Sequence, residues 1–84
     1  MKSVIRRSVM IERIRLVFSE ATHINEDRLT MESRIKEDLL LDSLTTLELI
    51  LDLEGEFDIQ IHTRELEKLK TFGDVVAIIE SKTA

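Results

Sequence analysis

Cysteine is absent from this 84-residue chain, and with it go disulfides, thiolate metal sites and cysteine nucleophiles. Proline is absent too, and glycine occurs twice. Strand-rich folds with many tight turns draw on both residues, so the shortage favours helix. The three aromatic residues are all phenylalanine. No apolar run approaches the ~18 residues of a membrane span. A chain this short makes one domain, spanning 1–84, and buries only about 60–65% of its unfolded surface, which excludes a large internal catalytic chamber. What it has in quantity is charge. With 35% charged and 43% apolar residues, a small soluble domain with a thin core under a heavily solvated surface is expected. A cytoplasmic location and a monomeric state are further expectations, not readings of composition.

The net charge of −5 is unevenly spread. Lys2, Arg6, Arg7, Arg13 and Arg15 outweigh Glu12 at the start. Glu37, Asp38, Asp42, Glu48, Asp52, Glu54, Glu56 and Asp58 then place eight acids and no base within residues 37–58. Such a stretch repels nucleic acid and attracts a basic protein surface. The plainer reading of a charge run alone is a solvated helix face. The Arg-rich beginning has the composition of a transit peptide, but no signal-type apolar core and no cleavage site. It reads as the first helix, with residues 1–7 either an extension or that helix's opening turns.

Met10, Ile14, Val17 and Phe18 recur at helical spacing, widened by Ile11, and predict a helix from about Ser3 to Ala21. Residues 22–41 carry no long period, and a connection of that length is unusual in a small domain. Ile24, Leu29, Ile35 and Leu39 are its expected pins. A second helix is predicted from Ser43 to Phe57, capped by Asp42 or Ser43. Leu44, Leu47, Leu49, Ile50, Leu51, Leu53 and Phe57 form its wide apolar arc, and Thr45, Glu48, Asp52 and Glu56 its polar stripe. A short helix over Thr63–Leu69, capped by Thr63, follows an extended stretch at Asp58–Ile61. Thr71 with Asp74 makes a variant capping box for a last helix that buries Phe72, Val75, Val76 and Ile79. The fold class is all-α, with three main helices, one short helix and a long first loop.

Enzyme motifs fail in turn. Gly55 and Gly73 cannot build a phosphate-binding loop. No Gly-x-Ser-x-Gly turn occurs. His23 and His62 lack metal-ligand spacing. A calcium loop opening at Asp52 would need glycine sixth and glutamate twelfth, whereas Gly55 is fourth and Thr63 twelfth. What remains is Ser43, which opens the most regular helix. Free N–H groups and the positive end of the helix dipole there favour a phosphate ester on its hydroxyl. From position alone, an ordinary serine cap is the plainer reading.

The segment Ile35-Lys36-Glu37-Asp38-Leu39-Leu40-Leu41-Asp42-Ser43-Leu44, then Thr46-Leu47-Glu48-Leu49, Leu53-Glu54-Gly55-Glu56-Phe57 and Ile59-Gln60-Ile61, resembles the acyl carrier protein family in order and without gaps. The resemblance covers about residues 8–82. It implies a right-handed four-helix bundle of acyl-carrier type and no catalysis by the chain itself. It implies that Ser43, flanked by Asp42 and Leu44, carries covalent 4′-phosphopantetheine, attached from coenzyme A by a phosphopantetheinyl transferase. The arm's thiol would hold acyl groups as thioesters for fatty-acid, polyketide or related lipid or secondary-metabolite synthesis. Acyl-loading and acyl-processing enzymes with basic surfaces would dock on Asp42, Leu44, Glu48, Asp52 and Glu56.

This chain departs from the family's common pattern at several positions. Leu40 and Leu41 replace a usual glycine and a small or modest apolar residue. Thr45 replaces a frequent acid. His62 stands where proline commonly precedes the third helix. The departures point to a specialised member rather than a housekeeping one. A core this thin cannot easily bury both Leu40 and Leu41, so at least one is expected in solvent beside the arm. There it would pack on the arm, guard an acyl cleft or dock on a partner; otherwise both simply cover the long loop. Two other classes stay open: an unmodified helical interaction module using the acidic helix, and a DNA-binding helix-turn-helix, which the lack of any base on the second helix disfavours. No metal site is expected.

Overall fold

Helix formation in this chain follows its apolar spacing and its caps. A computed structural model describes residues 2–83. Helix α1 spans Lys2–Thr22, α2 Ser43–Phe57, α3 Thr63–Leu66 and α4 Phe72–Thr83, with a single 3₁₀ turn at Glu26–Arg28. No strand forms among the described residues. One isolated antiparallel bridge joins Arg34 to Thr71.

α1 buries Ile14 and Phe18 completely, with Met10, Ile11 and Val17 packed at the margin. It ends where His23 takes φ 62° and donates its N–H to the Ser19 carbonyl at 2.8 Å. α4 starts as expected: Thr71 N–H donates to Asp74 Oδ2 at 3.0 Å, and Asp74 N–H donates to Thr71 Oγ1 at 3.1 Å. Its Phe72, Val75, Val76 and Ile79 are fully buried. The rings of Phe18 and Phe72 meet edge to face at 5.4 Å and link α1 to α4 at the centre of the core.

The connection over residues 23–42 is ordered by its own groups. Ile24, Leu29, Ile35 and Leu39 are all buried. Asn25 accepts from the Asp27 N–H, and Ser33 Oγ donates to the Arg28 carbonyl at 2.7 Å while accepting from the Thr30 N–H. Three backbone bonds then clasp the loop to the entrance of α4: Ile35 N–H to Lys70 O, Phe72 N–H to Ser33 O, and Gly73 N–H to Met31 O.

α3 is shorter than the spacing predicts. It closes at Leu66, because Lys68 and Leu69 donate to carbonyls three residues back and the chain tightens out of the α form. Its cap is His62, not Thr63. The His62 N–H donates to Glu65 Oε1 at 2.9 Å, a bond that proline could not make. Glu65 also pairs with Lys82 at 3.1 Å and so ties α3 to α4.

The two glycines sit in opposite environments. A Cβ at Gly73 would lie 2.7 Å from the Met31 carbonyl oxygen, whereas one at Gly55, inside α2, would meet nothing within 4 Å. Gly73→Ala is expected to destabilise by about 1–3 kcal/mol through forced separation of loop and helix. Gly55→Ala is expected to stabilise by about 0.5–1 kcal/mol through helix propensity. Urea unfolding of both variants checks the pair, and equal effects would contradict the role assigned to the clasp.

Candidate functional site

The loop–α4 clasp sets the start of α2. Ile35, held by Lys70, accepts the Leu41 N–H on its own carbonyl at 3.1 Å, and Asp42 and Ser43 follow at once. Asp42 is the N-cap, in extended conformation, and its carboxylate accepts the Thr45 N–H at 2.8 Å. Its carbonyl accepts from both the backbone and the hydroxyl of Thr46. Because the aspartate does the capping, Ser43 becomes the first residue of the helix proper.

Ser43 is exposed, and its hydroxyl makes no hydrogen bond among the described residues. Ser19, Ser33 and Ser81 differ, each donating to a backbone carbonyl. Ser8 lies exposed within α1, away from a helix start, and Ser3 has no described side chain. The N–H groups of Ser43 and Leu44 are likewise unbonded among the described residues. An exposed hydroxyl beside two open donors and the positive helix end fits a phosphodiester. The arrangement suits a hydroxyl that is modified by another protein and then carries its load.

The expected partner residues separate on the helix surface. Leu49, Ile50 and Leu53 face the core, whereas Leu44, Leu47 and Leu51 are 67%, 49% and 57% exposed. The apolar arc is therefore two faces. At 100° per residue these three leucines lie within about 60° of one another, opposite the core. An apolar arc wider than one core-facing stripe requires was the available signal. Glu48 and Asp52 are exposed and make no ion pair among the described residues. Glu56 is paired with Arg13 of α1, whose guanidinium also stacks over Phe57. Residues four apart rotate by about 40° per step, so the row Glu48–Asp52–Glu56 winds toward α1. Leu40 is 78% exposed, while Leu41 packs against the core. Thr46, on the turn after Ser43, lines a cleft of about 180 Å³ with Ile35, Leu66 and Leu69, flanked by Lys36 and Lys70. No segment of sequence pointed to that cleft, because its walls come from the loop, α2 and the stretch around α3. Among the described residues no acidic or histidine cluster could hold a metal, and no helix is long and apolar enough to cross a membrane.

A family model described as a phosphopantetheine attachment site matches residues 12–79. The acyl carrier protein of Thermotoga maritima is 34% identical over 76 residues, covering 90% of this chain and 94% of that relative. The acyl carrier protein of Clostridium perfringens is 39% identical over 74 residues, 88% of this chain and 97% of the relative. That of an Exiguobacterium species is 52% identical over 54 residues, 64% and 68% of the two chains. The solution structure of a holo acyl carrier protein from Geobacter metallireducens is similar, with a TM-score of 0.76 at 27% identity over 87% of this chain and 84% of that one.

The Asp42 carboxyl is held below the usual carboxylate range, first by the Thr45 backbone N–H and then by the Thr45 hydroxyl, against a small opposing effect of burial. A lowered folded value means that the added stability is complete above the ordinary value of about 4 and is lost as pH falls through the lowered one. Asparagine caps as well but does not titrate. The difference in Tm between wild type and Asp42→Asn is therefore expected to shift against the wild type below about pH 4. Thermal melts from pH 7 to pH 2.5 measure it, and a constant difference would contradict the assigned cap.

Proposed function

The chain belongs to the acyl carrier protein family, and from that premise we propose that Ser43 is the residue that takes 4′-phosphopantetheine. The observation that carries this reading is the division of labour at the start of α2. Asp42 satisfies the helix end, and Ser43 is left exposed with its hydroxyl unbonded. Members of the family carry acyl groups and are not enzymes. They work with a phosphopantetheinyl transferase and with acyl-processing enzymes.

When bound, the group supplies a terminal thiol that holds an acyl chain as a thioester. The residues of this chain do the rest. Ser43 Oγ would anchor the arm, and the open N–H groups of Ser43 and Leu44 would be available to its phosphate. The absence of cysteine leaves no competing thiol. The cleft beside Thr46 offers apolar shelter near the attachment point. Asp42, Leu44, Glu48 and Asp52 form the docking face, with the Arg13-paired Glu56 at its far end. A base on a partner would share Glu56 with Arg13 or compete with it. The departures at Leu40, Leu41, Thr45 and His62 support a specialised carrier in fatty-acid, polyketide or related synthesis.

Co-expression with a phosphopantetheinyl transferase tests the site. The wild type is expected to gain the pantetheine mass and to show one titratable thiol, and Ser43→Ala to gain neither. A mass gain in Ser43→Ala would refute the assignment. No gain in the wild type would favour an unmodified interaction module.

The docking face is tested by Glu48→Lys. Exposed charge acts mainly on encounter rate and is screened by salt. Modification of this variant is expected to slow several-fold at low salt, with the difference closing as salt rises. A rate unchanged across the salt series would remove Glu48 from the contact.

A further inference from the structure

Leu40 has φ 54°, in the left-handed region. Two other non-glycine residues share that region, His23 and Asp58, and each closes a helix. Aspartate and histidine are among the residue types enriched there, whereas a bulky apolar side chain in this conformation is an outlier. Leu40 recovers nothing by burial either, since its side chain is 78% exposed, more than any other large apolar side chain described. Leu39 and Leu41 on either side turn inward. Nor does Leu40 line the cleft beside Thr46, so it does not guard that opening. Within the chain it combines a strained backbone with an unburied apolar group, where glycine would carry neither penalty. What repays it must lie outside the chain.

Its place narrows the choice. Leu40 is three residues before Ser43, at most about 11 Å along the backbone. Beyond Ser43 the exposed apolar surface continues through Leu44, Leu47 and Leu51. Asp42, Glu48 and Asp52 stand exposed within the same stretch, which contains no base. A second copy of this chain would bring the same acids against them. The complementary surface is apolar with a rim of lysine or arginine.

We propose that Leu40 selects the partner: it enters an apolar, base-rimmed pocket of the enzyme that acts at Ser43, so that the enzyme grips the chain on both sides of the serine. This rests on the carrier reading of Ser43. Leu44, Leu47 and Leu51 supply the contact after the serine, and Leu40 supplies the contact before it.

The probe is the purified phosphopantetheinyl transferase of the host organism with saturating coenzyme A, modification being followed by intact mass. Leu40→Asn keeps a residue that tolerates the left-handed region but removes the apolar side chain. Leu40→Met keeps the apolar bulk. For Leu40→Asn, KM for the chain is expected to rise about ten-fold, equivalent to about 1.4 kcal/mol, with kcat and Tm not reduced. This defect persists at high salt, unlike a charge contact, and Leu40→Met behaves as wild type. An unchanged KM in Leu40→Asn overturns the proposal. So does an equal defect in Leu40→Met, which would show that apolar bulk at this position is not what the enzyme reads. If the wild type itself gains no mass, the carrier reading fails first and this inference falls with it.

Discussion

The position of Ser43 depends on the clasp between the long loop and the entrance of α4. Three backbone bonds join Met31, Ser33 and Ile35 to Lys70, Phe72 and Gly73. A loop over residues 23–42 would otherwise sample many conformations, and ordering each residue costs about 1–2 kcal/mol of backbone entropy. Burial of Ile24, Leu29, Ile35 and Leu39 offsets part of that cost. The clasp gives the loop a single register against α4. Through Ile35 and Leu41 it delivers Asp42 to the start of α2. The fit requires Gly73, because the loop carbonyl at Met31 occupies the space a side chain would need.

Once α2 is placed, its two surfaces take different tasks. Leu49, Ile50 and Leu53 join Ile14, Phe18 and the α4 residues in the core. The outward leucines stay half or more exposed, and Glu48 and Asp52 make no ion pair among the described residues. Like charges along this helix oppose compaction, and Arg13 of α1 relieves only its far end by pairing with Glu56. Among the described residues, Arg7 pairs with Glu80 of α4, and Arg15 lies over Phe72 and donates to the Leu29 carbonyl of the loop. The acids Glu48 and Asp52 are left exposed on the outer side of α2.

Local chemistry along the chain determined much of this protein before any tertiary contact formed. Helical spacing in α1, α2 and α4, the Asp42 cap, the Thr71–Asp74 box and the four loop pins are short-range preferences, legible because each depends on residues within a few positions of one another. Ser43 became a candidate through the ordered resemblance over residues 35–61, since its position at a helix start alone is that of an ordinary cap. Tertiary structure decided the rest. Which leucines of α2 turn outward depends on where α1 and α4 lie. Glu56 is drawn to Arg13 from far along the chain. The need for glycine at 73 arises from a carbonyl at 31. These features join residues distant in sequence, and their free energies exist only once the chain has brought those residues together.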